Sequence, residues 1–169
     1  MTSRDTIEAF WRRFLFRKGL PPTVRYMDCF HFDLTQRAAD ELLGLTLAGV
    51  KRATSSSLVS FQTEGLRPPK RGDLSIVTDW AGTPRCVIET TGVRILAYRD
   101  VDWELARQEG EDTSLEGWRI NHRNFFIAEG KLLGYGFSPD MMIVFEQFRV
   151  VDQEARGGAR GPPERGHGP

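Results

Sequence analysis

Apolar residues near the start of the chain recur every three or four positions. Between residues 6 and 18, five of them fall on one face of a helix: Ile7, Phe10, Trp11, Phe14 and Leu15. Gly19 and the Pro21–Pro22 pair follow, and both are typical of the end of a helix. The pattern predicts that residues 1–25 contain an amphipathic helix, which packs on the domain that follows.

A short strand and a second helix are the next predicted elements. The run from Tyr26 to Phe32 is rich in aromatic residues and predicts a strand. Asp33 or Thr35 can cap the helix behind it. The apolar positions of that helix are Ala38, Ala39, Leu42, Leu43 and Leu47. Gly49 predicts its end.

Two β-rich runs occupy the middle of the chain, Leu74–Trp80 and Arg85–Tyr98. The three residues from Gly82 to Pro84 separate them and predict a hairpin turn. Before the first run, the proline- and glycine-rich segment Glu64–Asp73 predicts a loop. This part of the chain therefore predicts an antiparallel strand pair.

The last third of the chain begins with two predicted helices, Trp103–Glu109 and Ser114–Glu129. Thr113 and Glu116 have the spacing of a capping box at the start of the longer one. A glycine follows each helix and predicts its end, Gly130 in the case of the longer one.

A hydrophobic strand, Met141–Val151, completes the pattern. Helices that interrupt several non-alternating strands favour the α+β class over a doubly wound parallel sheet. The chain has 169 residues, which is typical of one domain, and we assign residues 26–151 to it. Residues 152–169 contain mostly Gly, Pro, Arg and Glu, and their composition predicts a flexible tail.

Charge and apolar content narrow the classes of function. The 23 basic and 23 acidic residues give a formal net charge of zero, so no global field attracts the protein to nucleic acid or an anionic membrane. No apolar stretch approaches the roughly 20 residues of a membrane helix. The two cysteines and the absence of a signal-peptide pattern predict a cytoplasmic protein.

Metal-ligand motifs are missing from the sequence. It has neither a CxxC pair nor an HExxH motif, and its three histidines are scattered singly. We therefore expect no metal site and no cofactor. No pattern in the sequence specifies an oligomeric state.

Several short motifs together point to a family. They are the segment from Gly49 to Thr54 with the form GxKxxT, Gly72-Asp73 at the start of a strand, Glu109, the helix residues from Trp118 to Phe126, and Glu146 in the closing strand. From about residue 26 to residue 151 the chain resembles the ASCH domain, a relative of the PUA fold. The resemblance implies a small mixed β-barrel with helices around it and a cleft lined by the GxKxxT segment.

The resemblance also implies catalytic residues. Some ASCH proteins hydrolyse the amide of N4-acylated cytidines, and others are linked to RNA binding or cleavage. In the amidohydrolases the reaction is attributed to a lysine, a threonine and a glutamate, which match Lys51, Thr54 and Glu109 here. Small members carry an arginine where this chain has Ser56. The substrate-binding candidates are accordingly Arg25, Arg52, Ser56, Arg119 and His122.

Amide hydrolysis places demands on these residues. If Lys51 is the base that activates the Thr54 hydroxyl, partial burial has to lower its pKa towards neutrality. Glu109 is at a predicted helix end, where the backbone carbonyls should raise its pKa. Taken alone, the spacing favours an exposed lysine after a helix and a glutamate on a solvated acidic surface, and the family resemblance reverses that preference. His122 is compatible with a buried core histidine as well as with a base.

Two functions follow from these observations. The first is an amidohydrolase that removes the acyl group from N4-acylcytidine-type nucleosides. The alternative is a PUA-like module that binds RNA, with or without ribonuclease activity. The neutral net charge favours the small nucleoside, whereas the basic loop residues Arg67, Lys70 and Arg71 favour RNA contact.

Overall fold

The helices and strands of the protein are defined by a computed structural model that describes residues 3–153. The α-helices are α1 (Ser3–Lys18), α2 (Gln36–Leu47), α3 (Leu58–Thr63), α4 (Trp103–Ala106) and α5 (Leu115–Leu133). The strands are β1 (Cys29–Phe30), β2 (Ala53–Ser57), β3 (Leu74–Thr78), β4 (Pro84–Ala97) and β5 (Met142–Gln153). Short 3₁₀ segments, Tyr98–Asp100 and Arg107–Glu109, flank α4. No helix within residues 3–153 has the length and apolarity to cross a bilayer.

The five strands form one mixed sheet in the order β1-β3-β4-β5-β2. β1 pairs with β3 in parallel, and the other three pairs are antiparallel. Irregularities between Val87 and Ile88 and between Thr90 and Gly92 interrupt the β4–β5 ladder, and such bulges increase the twist of a sheet. The α+β class, with a mixed sheet and surrounding helices, is confirmed.

Helices cover both faces of the sheet because its side chains alternate. Val87 packs with Ile76 against the apolar face of α1, whose members are Phe10, Trp11, Phe14 and Leu15. Cys86 and Ile88 point the other way and join a second cluster with Leu43 of α2. On β5 and α5, a third cluster contains Trp118, Phe126, Ile143 and Phe145. These clusters fix α2 and α5, which flank the site described below.

Two strands and one helix differ from the sequence prediction. The aromatic run 26–32 forms a ladder only at Cys29–Phe30, since Asp33 adopts a φ of 57° and turns the chain away from the sheet. β2 and α3 follow directly on one another, with Ser57 as the last residue of β2 and the cap of α3. The serine-rich segment 55–57 carries little periodic signal, which explains why these two elements were missed.

The two helices in the last third have different ends from those predicted. Ser114 rather than Thr113 caps α5, accepting a hydrogen bond from Gly117 N at 3.1 Å. The helix continues through Gly130 and ends at Gly134, which has a φ of 80°. Gly130 is needed for close packing, because a Cβ there would lie 2.3 Å from Tyr135 O. The predicted helix 103–109 is α-helical only as far as Ala106.

The C-terminal boundary is also later than predicted. Asp152 and Gln153 belong to β5, and Asp152 forms an ion pair with Arg17 of α1. The prediction of a flexible tail over residues 152–169 is therefore wrong for its first two positions. Residues 154–169 lie outside the described residues.

Gly110 lies between Glu109 and Glu111, and its substitution should destabilise the fold. It has a φ of +72°, and a Cβ would lie 2.7 Å from the Val50 carbonyl oxygen. Gly110→Ala should lower the free energy of unfolding by roughly 1–3 kcal/mol, through backbone strain and overpacking. Gly44→Ala is the matched control, since α2 offers open space there, and it should stabilise by about 0.4–1 kcal/mol. Urea unfolding measures both, and equal effects would contradict the prediction.

Candidate active site

One cavity of about 450 Å³ lies beside both edges of the sheet. Its wall includes Cys29 and Phe30 of β1, Thr54 to Ser56 of β2, and residues of α5. No ladder within residues 3–153 joins β1 to β2, and both of these edge strands contribute to the cavity wall. A volume of this size is within the range of small-ligand sites.

Glu109 is the centre of a buried hydrogen-bond network on this wall. Its Oε1 accepts from Ser55 Oγ at 2.7 Å and from Trp118 Nε1 at 3.0 Å. Its Oε2 accepts from Lys51 Nζ at 3.2 Å and lies 3.3 Å from His122 Nε2. A carboxylate has about four acceptor positions, so these four donors occupy all of them. Glu109 is therefore a fixed anion that holds its neighbours in place.

Lys51 lies between two carboxylates. Its Nζ donates to Glu109 and also contacts Glu111 Oε1, while its side chain is only 1% exposed. The ammonium lies 5.3 Å from the centre of the Phe32 ring, a cation–π distance. Because an ammonium has three N–H donors and the carboxylates use two, one remains for a ligand in the cavity.

His122 is a second cation of the network. Its Nδ1 is 3.0 Å from the Trp118 carbonyl oxygen, and its Nε2 faces the Glu109 carboxylate. Both partners are acceptors, so both ring nitrogens have to donate, which requires the imidazolium form. The ring also stacks on Trp118 with centroids 4.1 Å apart. Two cations thus balance the carboxylates of Glu109 and Glu111.

The pKa directions agree with this charge balance and overturn two sequence-based expectations. Burial alone would lower the pKa of Lys51, but Glu109 and then Glu111 outweigh it and raise that pKa. Burial would raise the pKa of Glu109, yet His122 and Lys51 hold it well below the usual range. Lys51 is therefore protonated and is not a neutral base, and Glu109 is not a readily protonated acid. Both expectations ignored the partners that folding supplies.

His122 and Glu111 also have shifted pKa values. Burial works against the charge of His122, but Glu109 outweighs it and raises the pKa of the imidazolium. The pKa of Glu111 is raised mainly by burial, and the nearby Glu109 adds to this despite the attraction of Lys51. Glu111 keeps 19% of its side-chain surface exposed, so it is the more accessible of the two carboxylates.

Thr54 lies on the opposite face of β2 from the Glu109 network. Its neighbour Ser55 points to Glu109, and side chains alternate along a strand. Thr54 lines the cavity, and its hydroxyl forms no hydrogen bond with another described residue. The geometry therefore leaves this hydroxyl available to a ligand. Ser56 lines the cavity as well.

Three of the substrate-binding candidates lie outside the cavity. Arg25 is exposed and donates to Pro22 O at 2.7 Å. Arg119 is exposed on α5, one residue beyond the inward-facing Trp118 and therefore about 100° around the helix. Arg52 lines a second groove together with Arg94 and Arg107. Only His122 and Ser56 of that candidate set line the cavity with Lys51, Thr54 and Glu109.

The sequence analysis did not include Ser55, Glu111, Trp118 and Glu146 among its candidate site residues, although Trp118 and Glu146 belong to the motifs that carry the family resemblance. The local sequence around Glu111 and Trp118 does not reveal their long-range partners, Lys51 and Glu109. Glu146 is buried and lines the cavity, and it accepts a hydrogen bond from Thr90 Oγ1 at 2.6 Å. The available signal for Glu146 was a lone charged residue inside an apolar strand.

One set of side chains has the composition of a metal site. Ligand atoms of Glu109, Glu111 and His122 lie within 4.8 Å of one another. The Lys51 ammonium already contacts both carboxylates, and His122 donates from both nitrogens. The positive charge that a metal ion would bring is thus supplied by side chains, and the cluster does not fit a metal.

The cavity is strongly acidic. Seven carboxylates line it: Asp28, Asp33, Glu64, Glu109, Glu111, Glu129 and Glu146. Lys51 and two histidines, His31 and His122, are the basic groups on the same wall. Elsewhere, the basic loop is partly neutralised, because Arg67 donates to both oxygens of Asp73 at 2.6 and 3.0 Å. The lining favours an uncharged ligand over a phosphorylated one.

Comparisons with known proteins agree with this fold. Protein EF3133 from Enterococcus faecalis is 32% identical with a TM-score of 0.81, and the match covers 88% of this chain and 90% of that one. The ASCH domain from Lactobacillus crispatus is 34% identical with a TM-score of 0.73, covering 89% and 94%. No curated protein matches. Since the ASCH domain model also matches residues 28–152, the chain belongs to the ASCH domain family, which has a PUA-like fold.

Proposed function

We propose that this protein is an amidohydrolase that removes the acyl group from N4-acylcytidine-type nucleosides. The observation that carries the proposal is the Lys51 ammonium, which is fixed by Glu109 and Glu111 at the wall of a cavity that the Thr54 hydroxyl also lines. An amide carbonyl needs a positive hydrogen-bond donor and a nucleophile within one site. Lys51 and Thr54 supply these two groups.

In this proposal the third N–H of Lys51 donates to the acyl oxygen and stabilises the negative charge that develops there. The Thr54 oxygen attacks the acyl carbon, the bond from that carbon to N4 breaks, and water later hydrolyses the Thr54 ester. Glu109 and His122 act by holding Lys51 and the helix α5 in place. Trp118 is buried and donates to Glu109, which supports a structural role for its ring.

The acidic lining supports a nucleoside rather than a polynucleotide. A phosphate group in or beside this cavity would face seven carboxylates, while the two cations of the network, Lys51 and His122, are already engaged by Glu109. This charge distribution costs binding free energy. The acyl group and the cytosine ring are uncharged and carry no such penalty. We therefore expect the free nucleoside to be the better substrate.

RNA binding is the second candidate, and it is favoured by the groove around Arg52. Arg94 and Arg52 line this groove and form no ion pair within residues 3–153, while Arg107 pairs with Glu104. Unpaired guanidinium groups in a groove are suited to phosphate contacts.

An ultraviolet assay of N4-acetylcytidine beside its 5′-monophosphate tests the proposed activity. We expect the nucleoside to be converted to cytidine, with a kcat/KM at least about tenfold above that of the monophosphate. A gel shift with structured RNA is run on the same preparation. RNA binding without conversion of the nucleoside would overturn the proposed activity in favour of the second candidate.

A further inference from the structure

Glu146 is a buried carboxyl group on the cavity wall away from the Lys51 network. It lies on β5 directly opposite Thr54 of β2 in an antiparallel ladder. Directly opposite residues of such a ladder project from the same face of the sheet, with Cβ atoms about 4.5–5.5 Å apart. Both residues line the cavity. The strand register thus places the Glu146 side chain on the same face as Thr54, directly across the ladder, with no hydrogen bond between the two side chains before a ligand binds.

The two oxygens of Glu146 have different surroundings. Oε1 accepts from Thr90 Oγ1 at 2.6 Å, which fixes the carboxyl group. Oε2 has no hydrogen-bond partner among the described residues. It is also not buried, because within residues 3–153 the buried side-chain oxygen without a partner is Asp112 Oδ2. Oε2 is therefore open to the cavity. In Glu109, by contrast, four donors occupy both oxygens.

The charged groups around Glu146 are acidic. Asp28 precedes β1 and Asp73 precedes β3, and both act on Glu146, while the hydrogen-bonding group from β4 is the neutral Thr90. Burial raises the pKa of Glu146 to about 7, with the Thr90 hydrogen bond opposing the rise and the two aspartates adding to it. Both the acid and the carboxylate are therefore populated near neutral pH.

We propose that Glu146 is the group that takes up and returns the proton of the Thr54 hydroxyl. This inference rests on the amidohydrolase function proposed above. The structure leaves the base of that reaction open, because Lys51 is protonated and Glu109 is saturated. Glu146 has an open oxygen, a fixed orientation and a position opposite the nucleophile.

The proton and electron transfers balance over two half-reactions. In the first, the Glu146 carboxylate takes the Thr54 proton as Oγ1 bonds to the acyl carbon and the carbonyl electron pair moves to oxygen. The tetrahedral intermediate collapses, the bond to N4 breaks, and N4 receives the proton from Glu146. In the second, Glu146 takes a proton from water, the hydroxyl attacks the ester, and Thr54 leaves with that proton. The products are cytidine and a carboxylic acid.

The test is the pH dependence of kcat/KM on N4-acetylcytidine for wild type and three variants. Wild-type activity should rise with pH through a midpoint near 7. Glu146→Gln should lose at least about 100-fold and also lose this rise. Thr90→Val should keep more activity than Glu146→Gln. It should also move the midpoint of the pH profile to higher pH, because it removes a hydrogen bond that favours the Glu146 carboxylate. Glu89→Gln, a surface carboxylate paired with Arg149, should behave as wild type.

Urea unfolding provides a readout that does not depend on activity. A carboxyl group whose pKa is raised by folding contributes stability that is fully present below its ordinary pKa of about 4.5 and is lost as pH rises through about 7. Glu146→Gln should therefore unfold at higher urea than wild type at pH 8.5 and at nearly the same urea at pH 4. A variant in which the substitution disrupts the fold would instead unfold at lower urea than wild type at pH 8.5.

The outcomes separate this inference from the proposed function. A wild-type protein that converts N4-acetylcytidine while Glu146→Gln stays within threefold of it, with the same midpoint, overturns the role of Glu146 alone. A wild-type protein without conversion overturns the amidohydrolase function and this role with it. Loss of activity in Glu146→Gln with an unchanged pH midpoint in Thr90→Val would show that Glu146 is only structural.

Discussion

Lys51→Met should lower the free energy of unfolding by about 3–5 kcal/mol. The substitution keeps an unbranched side chain of similar length but removes the positive charge between Glu109 and Glu111. Lys51 and Glu109 are each only 1% exposed, so water cannot replace the lost cation at Glu109. The variant leaves the carboxylates of Glu109 and Glu111 with His122 as the remaining cation of the network, and removing one partner of a buried ion pair is among the most destabilising single substitutions.

Urea unfolding at pH 7 measures this loss, and two further variants show where it comes from. Arg37→Met removes a cation from the exposed Arg37–Glu41 pair of α2 and should leave the unfolding midpoint almost unchanged. In Lys51→Met combined with Glu109→Gln, the buried anion is gone as well, so part of the stability should return. If Lys51→Met unfolds within about 1 kcal/mol of wild type, the buried network is not the one described here.

Local periodicity explains why much of the fold could be predicted. The spacing of Phe10, Phe14 and their neighbours predicts a helix with one apolar face without any knowledge of distant residues. The observed α1 has this face packed in a core cluster. The same is true of β4, whose alternating residues divide between two clusters. Gly130 shows the limit of this reasoning. A glycine inside a helix looks like an end signal unless the residue that packs against it, Tyr135, is known.

In the candidate site, some of the residues could be predicted from the sequence but their electrostatics could not. The resemblance to the ASCH family implied Lys51, Thr54 and Glu109 as candidates, and the structure places all three around one cavity. Their electrostatics could not be predicted, because Lys51 and Glu109 are 58 positions apart. Likewise, Thr90 and Glu146 are 56 positions apart and meet only through the pairing of β4 with β5. A pKa depends on such partners more than on the local helix end that suggested a raised value for Glu109.

Substrate-binding arginines were the least predictable part of the site. One residue of displacement turns a side chain in another direction, as Arg52 shows in the extended segment before β2 and Arg119 shows beside Trp118 on α5. The sequence alone gave no means of deciding which of the candidate arginines, Arg25, Arg52 and Arg119, lies in the cavity. If the ligand is the uncharged nucleoside proposed above, it has no phosphate for an arginine to bind.

The last prediction concerns Thr54, whose hydroxyl is the proposed nucleophile. Thr54→Val keeps the branched shape and removes only the hydroxyl. If the reaction passes through a Thr54 ester, turnover should fall by roughly 10³-fold or more while nucleoside binding persists. If Thr54 only donates a hydrogen bond, the loss should be about 1–3 kcal/mol, or roughly ten- to a hundred-fold. Thr54→Ser retains a hydroxyl and should retain part of the activity.

Stability measurements separate chemistry from folding in this series. The Thr54 hydroxyl has no hydrogen-bond partner within residues 3–153, so Thr54→Val should unfold at nearly the same urea concentration as wild type. Thr83→Val makes the same change in the hairpin turn, at a residue that does not line the cavity, and should leave kcat unaltered. Mass spectrometry of rapidly quenched wild-type enzyme should show one added acyl group on the peptide that contains Thr54. A Thr54→Val enzyme within tenfold of wild type would rule out the ester, and Glu146 would then activate water directly.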